Sequence, residues 1–211
     1  MRKIWFLLFA IFLSAAGAVH ADTFPDVQKH WAKSNIQWAL AKNIVIGYPD
    51  GTFKPDRAVT EAEFLAILLR TYHNTNKQIN ERTANSTSPS PVGDWTDPYY
   101  EVASWYNIPV HGDTHPDRRG KPITRGLVAQ MIAGAYGKHY NVEGAIAYLY
   151  DHDLSKGKKD KTIEGYLPND FLTRAEAVTF IKTIVTKELN GSMLKRPEKE
   201  EPNPSVGKYK K

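Results

Sequence analysis

Leu172-Thr173-Arg174-Ala175-Glu176 decides the fold, because the chain presents this stretch in three versions. Val59-Thr60-Glu61-Ala62-Glu63 comes first and Ile123-Thr124-Arg125-Gly126-Leu127 second. Each follows a helical-looking segment and a loop, and each opens a second segment with apolar residues at helical spacing. Phe64, Ile67, Leu68 and Thr71 lie at i, i+3, i+4, i+7; Val128, Met131, Ile132 and Ala135 repeat the pattern, as do Ala177, Phe180, Ile181 and Ile184. A lone amphipathic helix cannot bury its stripe, so three helix–loop–helix units predict an all-α domain with a shared core.

The repeat extends beyond these stretches. Shifting unit one by 64 positions places Trp31 on Trp95, Asn43 on Asn107 and Thr60 on Thr124. A shift of 110 places Ile36 on Ile146 and Gly47 on Gly157; after the loop it becomes 113, placing Phe53 on Tyr166 and Glu63 on Glu176. The extra residues fall at Lys158-Lys159-Asp160-Lys161, where a loop tolerates them.

Thr60 with Glu63, and Thr173 with Glu176, have capping-box spacing, which accounts for Thr and Glu structurally. It does not account for Arg125 and Arg174, cations placed where the helix dipole disfavours them by a few tenths of a kcal/mol. Either each arginine pairs with a neighbouring carboxylate or it serves an anionic ligand, and an arginine oriented by a carboxylate could do both.

These residues resemble a known family. Phe24-Pro25-Asp26-Val27, His30-Trp31-Ala32, the run Gly47-Tyr48-Pro49-Asp50-Gly51-Thr52-Phe53-Lys54-Pro55 and Thr60-Glu61-Ala62-Glu63 look like an S-layer homology motif. The resemblance covers residues 24–72 and 142–188 well and 94–138 more weakly, the second unit being degenerate. It implies three motifs folded as a pseudo-trimer around a central three-helix bundle. It further implies grooves that bind pyruvylated secondary cell-wall polysaccharide at the surface of a Gram-positive-type bacterium. S-layer or other surface proteins are implied as further partners.

The family's arginine carries over to Arg174 and Arg125, and the Asp of its opening motif to Asp26. Unit one departs with Glu61 in the arginine's place, so its groove is either silent or borrows Arg57. Unit two lacks the Gly-Thr-Phe-x-Pro loop, with Arg118 and Arg119 in its place. Fewer than three working grooves are expected. An acidic sugar suits a bidentate arginine together with backbone donors at a helix N-terminus. Trp31, Trp95 and Trp105 are candidate sugar platforms, although a tryptophan on an amphipathic helix more often belongs to the core. Gly47 and Gly157 permit close approach or a positive φ at a helix end.

Charge and composition narrow the function. Arg2 and Lys3, the apolar run Ile4 to Leu13 and Val19-His20-Ala21 read as an export signal over residues 1–21, too short to span a membrane. The net charge of +5 resides in that signal and in residues 191–211, leaving 22–190 neutral and arguing against a nucleic-acid partner. Residues 22–190 are expected as one domain, 73–93 as a polar linker within it and 191–211 as a disordered charged tail. The absence of cysteine excludes disulfides and thiol chemistry. His111, Asp113, His115 and Asp117 form the one stretch that tempts an enzyme reading, with Asp151-His152-Asp153 similarly ambiguous, but no distant partner completes a catalytic pattern. No catalytic residue, cofactor or metal is therefore expected. The rival readings are a helical protein–protein adaptor at the cell surface and a metal-dependent wall enzyme using the His111–Asp117 loop.

Overall fold

The computed structural model describes residues 24–85, 95–187 and 191–210. The candidate export signal lies outside them. The described residues are helical, joined by loops with only isolated β-bridges. Unit one contributes α1 (Lys33–Ala41) and α2 (Glu61–Thr71). After α3 (His73–Asn85), unit two contributes α4 (Asp97–Trp105) and α5 (Arg125–Ala135). Unit three contributes α6 (Val142–Asp151) and α7 (Arg174–Thr186), and α8 (Val206–Tyr209) follows. No described helix is long and apolar enough to cross a membrane.

The three Thr-initiated stretches are joined directly. The Val59 N–H donates to Leu172 O (2.8 Å), Leu172 N–H to Ile123 O (3.2 Å) and Ile123 N–H to Val59 O (3.0 Å), which closes a ring. Beyond each ring position the helix begins, and its first two N–H groups also reach another unit. Glu61 and Ala62 donate to Lys121 and Arg119, Arg125 and Gly126 to Asp170 and Pro168, Arg174 and Ala175 to Arg57 and Pro55. The third N–H of each helix goes to its capping threonine, and the full capping box forms at Thr60/Glu63 and Thr173/Glu176. Donors that a helix start leaves unsatisfied are thus consumed by joining the units. The apolar stripes of the three second helices lie buried in one cluster.

Repetition extends to strained backbone. Asn43, Asn107 and Asp153, equivalent positions just past the first helix of each unit, have φ of 56°, 55° and 51°. Lys54 and Leu167 are likewise equivalent, at 56° and 55°. Asn and Asp tolerate this left-handed region, and they supply the positive-φ ending that was one of the two uses open to Gly47. Gly47 instead leaves the space in which the Phe24 ring lies.

Two segments depart from expectation. Within the expected linker, residues 73–85 form α3, which packs on α2 and α4. Ile79 and Thr75 are its buried points, and Asn74 and Gln78 donate to the Tyr106 hydroxyl at 2.8 and 3.3 Å. A few well-placed contacts stabilise a helix whose overall composition is polar. The tail is also ordered over 191–210. Met193 and Tyr209 are buried, Leu194 N–H donates to Ala135 O (3.0 Å), and the Tyr209 hydroxyl donates to Asp151 (2.7 Å). Sparse anchors on a charged segment are enough to tie it down.

Candidate functional site

The residue after each capping threonine extends across a unit boundary. Arg174 is only 5% exposed. Its Nε donates to Phe53 O (2.9 Å), its Nη2 to Ile46 O (3.2 Å), and its Nη1 lies 3.4 Å from Glu63. The guanidinium is also flanked by the Tyr48 and Phe53 rings, each centroid 4.6 Å away. Arg125, 3% exposed, does the same toward unit three: Nε donates to Tyr166 O (2.9 Å) and Nη1 lies 3.7 Å from Glu176. Its rings are Tyr166 and Phe180, at 4.8 and 5.7 Å. Both arginines therefore have the carboxylate partner that the sequence left as one alternative. That partner is the capping-box glutamate of a neighbouring unit, so Glu does more than cap.

Burial opposes ionisation of Glu63, but the Thr60 N–H, the Tyr48 hydroxyl at 2.5 Å, Arg174 and Arg57 outweigh it and hold the carboxyl below the usual value. At Glu176 burial is likewise overcome, by Lys158, the Thr173 N–H and Arg125. Burial and the bond to Glu63 push Tyr48 up to about 12. Burial lowers Arg174 below the usual arginine value against the opposing influence of Tyr48 and Glu63.

Glu61 occupies the equivalent position in unit one, and the polarity of its surroundings is reversed. Its carboxylate accepts from the N–H groups of His111 (3.1 Å) and Gly112 (2.7 Å) and from the Tyr100 hydroxyl (3.0 Å). The unit-two loop thus presents N–H groups where the other two loops present carbonyls. This is where the His111–Asp117 stretch is used. Among the described residues, no His, Asp and Glu side chains gather as a metal site. Arg57, considered as a substitute for Glu61, instead pairs with Glu63 (3.2 Å) and lies over Tyr48 (5.2 Å).

The arginines border two cavities. One, of about 330 Å³, is lined by Gly47, Tyr48, Glu63, Arg70, Trp95 and Arg174 among others. The second, of about 290 Å³, includes Trp31, Arg125, Gly157, Lys158, Glu176 and Phe180. Both are at the small end of the range for ligand pockets. Six sequence candidates therefore fall into two equivalent sets: Arg174, Gly47 and Trp95, and Arg125, Gly157 and Trp31. The tryptophans are not core residues; Trp31 is 63% and Trp95 55% exposed. Asp26 is not among the lining residues of either cavity. It accepts from the Phe53 and Lys54 N–H groups (3.1 and 2.7 Å) and so shapes the loop that Arg174 grips.

Another expectation is corrected here. The helix N-termini do not offer backbone donors to an anion, because their first N–H groups are spent on neighbouring units and capping threonines. Tyr48, Arg70, Lys156 and Lys158, which also line the cavities, escaped sequence reasoning. Tyr48 sits inside the quoted loop motif, Lys158 inside a stretch that reads as an insertion, and Lys156 at the position equivalent to Ile46.

Paired cavities between repeats, each with an exposed indole and a buried guanidinium, define an all-helical repeat protein with ligand-sized inter-unit grooves. Residues 23–65 and 136–178 match the S-layer homology domain, and the chain carries that domain's sequence in units one and three. It is 34% identical over 124 residues to a cellulosome-anchoring protein of Acetivibrio thermocellus, covering 57% of this chain and 26% of that protein. Over 187 residues it is 29% identical to exoglucanase XynX of the same organism, covering 80% of this chain and 17% of that one. An S-layer protein of Bacillus licheniformis is 27% identical over 179 residues, covering 78% and 20% respectively. The chain thus spans about a quarter or less of the length of these relatives.

Two outcomes follow. Restoring the repeat's arginine by Glu61→Arg should cost about 3–5 kcal/mol in urea unfolding, since a cation would face buried N–H donors, whereas Glu61→Gln, which keeps one acceptor, should cost about 1.5–3 kcal/mol. Glu63 and Glu176 have depressed folded pKa values, so their stabilisation is fully present above the ordinary value of 4.5. It should decline as pH falls below that value and through the folded ones. The urea midpoint followed from neutral to acid pH should show this decline, and Glu63→Gln should flatten it.

Proposed function

We propose that the protein is a non-catalytic cell-wall-binding module whose two open grooves take pyruvylated secondary cell-wall polysaccharide. Residues 1–21 serve as the export signal, and 22–190 fold as a pseudo-trimer at the surface of a Gram-positive-type bacterium. The supporting observation is that the same triplet, an exposed tryptophan, a buried arginine and a loop glycine, lines both cavities. A guanidinium has five N–H donors; at Arg174 the contacts to Phe53, Ile46 and Glu63 engage three, leaving two for a ketal carboxylate. At the second groove Lys158 is paired with Glu176, and Lys156 adds a positive charge beside Asp153. Exposed indoles offer a flat apolar face to sugar rings. The relatives include a cellulosome-anchoring protein and an S-layer protein, which agrees with attachment at a cell surface.

Cosedimentation of the purified protein with cell-wall sacculi tests the reading. Binding should be retained on native sacculi and lost on sacculi stripped of secondary polysaccharide; equal binding to both would contradict it. Trp31→Ala and Trp95→Ala should each weaken binding, by about tenfold together or about 1.4 kcal/mol. Their thermal transitions should stay close to that of the parent, because both rings are largely exposed. Alanine at Arg174 is a poorer probe, since it would also remove the bonds that join units one and three.

A further inference from the structure

The repeat requires a third groove, and the shift of 64 locates it. The residues equivalent to Val45, Ile46, Ala66, Ile67 and Arg70, which line the Arg174 groove, are Pro109, Val110, Gln130, Met131 and Gly134. The position equivalent to Trp31 in unit three is Asn141, and the arginine position is Glu61. The third groove thus has neither the indole nor the guanidinium of the other two.

The C-terminal segment runs along this place. Arg196 N–H donates to Tyr106 O (3.0 Å) and its Nε to Asn107 O (2.5 Å), while Asn107 Nδ2 donates to Pro197 O (3.0 Å). A Cβ added to Gly134 would lie 3.3 Å from both Arg196 Cδ and Pro109 Cδ, so the arginine stem rests where Arg70 stands in the equivalent groove. Farther along, Glu201 N–H donates to His139 O (2.7 Å), and its carboxylate accepts from His139 N–H (2.9 Å) with Lys138 Nζ at 3.5 Å. A Cβ on Gly144 would overlap the Asn203 side chain. Glu201 and Asn203 therefore contact residues on either side of Asn141.

We propose that residues 194–203 are the resident ligand of the third groove, an extended, proline-containing segment held mainly by backbone and charged contacts. The molecule consequently offers two grooves to outside ligands, and the third is a peptide site filled in cis. The two glycines are small because the segment lies against them. None of residues 194–203 belongs to the buried cluster, and the buried Met193 and Tyr209 flank the segment along the chain.

Hydrogen exchange on the full chain tests this independently of wall binding. The amides of Leu194, Arg196 and Glu201 should be protected at least about tenfold over an unstructured peptide. Glu201→Lys, which sets like charges together at Lys138, should release the amides at positions 196 and 201 while α5 and α6 keep their protection. A synthetic peptide of residues 192–204 should then bind the Glu201→Lys protein saturably and leave the parent, whose groove is full, unbound. Unprotected segment amides in the parent would overturn the proposal. So would α6 opening in step with the segment, or peptide binding that is equal for the two proteins or absent from both.

Discussion

The rest of the structure depends on the ring of three backbone hydrogen bonds linking Val59, Leu172 and Ile123, and on the helix starts that follow it. A helix N-terminus normally leaves donors for a side chain, water or a ligand. Here six of those donors, two per helix, reach carbonyls of another unit. Each unit both gives to one neighbour and receives from the other, so no unit completes its own helix start. The grooves are a consequence, because they lie where one unit's second helix meets the loop of another.

The same constraint explains the side chain at the first helical position. It is delivered onto the adjacent loop, and its charge must suit what that loop presents. Where the loop offers carbonyls, at Phe53, Ile46 and Tyr166, an arginine satisfies them. The loop of unit two, equal in length to that of unit one but different in sequence, offers N–H groups at His111 and Gly112, and there a glutamate sits. Glu61 is therefore a co-adapted partner of a changed loop. Its charge makes the third groove unsuited to an acidic sugar, in keeping with a protein segment as its occupant.

Much of this was legible in the residues themselves. Thr and Glu at capping spacing, and apolar residues at helical spacing, encode local structure, so three helix starts and their buried stripes could be read directly. Long-range partners could not. Nothing in Arg174 identifies Phe53 and Ile46, more than a hundred positions away, as its acceptors. Exposure of Trp31 and Trp95 was also hidden, since periodicity places a side chain on a face without saying what covers that face. In α3 and in residues 191–210, isolated anchors such as Ile79, Met193 and Tyr209 decide the outcome, and composition averaged over a segment conceals single anchors.

If the closed ring governs the fold, the three repeats must unfold together. Differential scanning calorimetry measures this most directly. The account predicts one transition whose calorimetric and van't Hoff enthalpies agree. Separate transitions, or a calorimetric enthalpy well above the van't Hoff value, would show that the units stand independently and would contradict it.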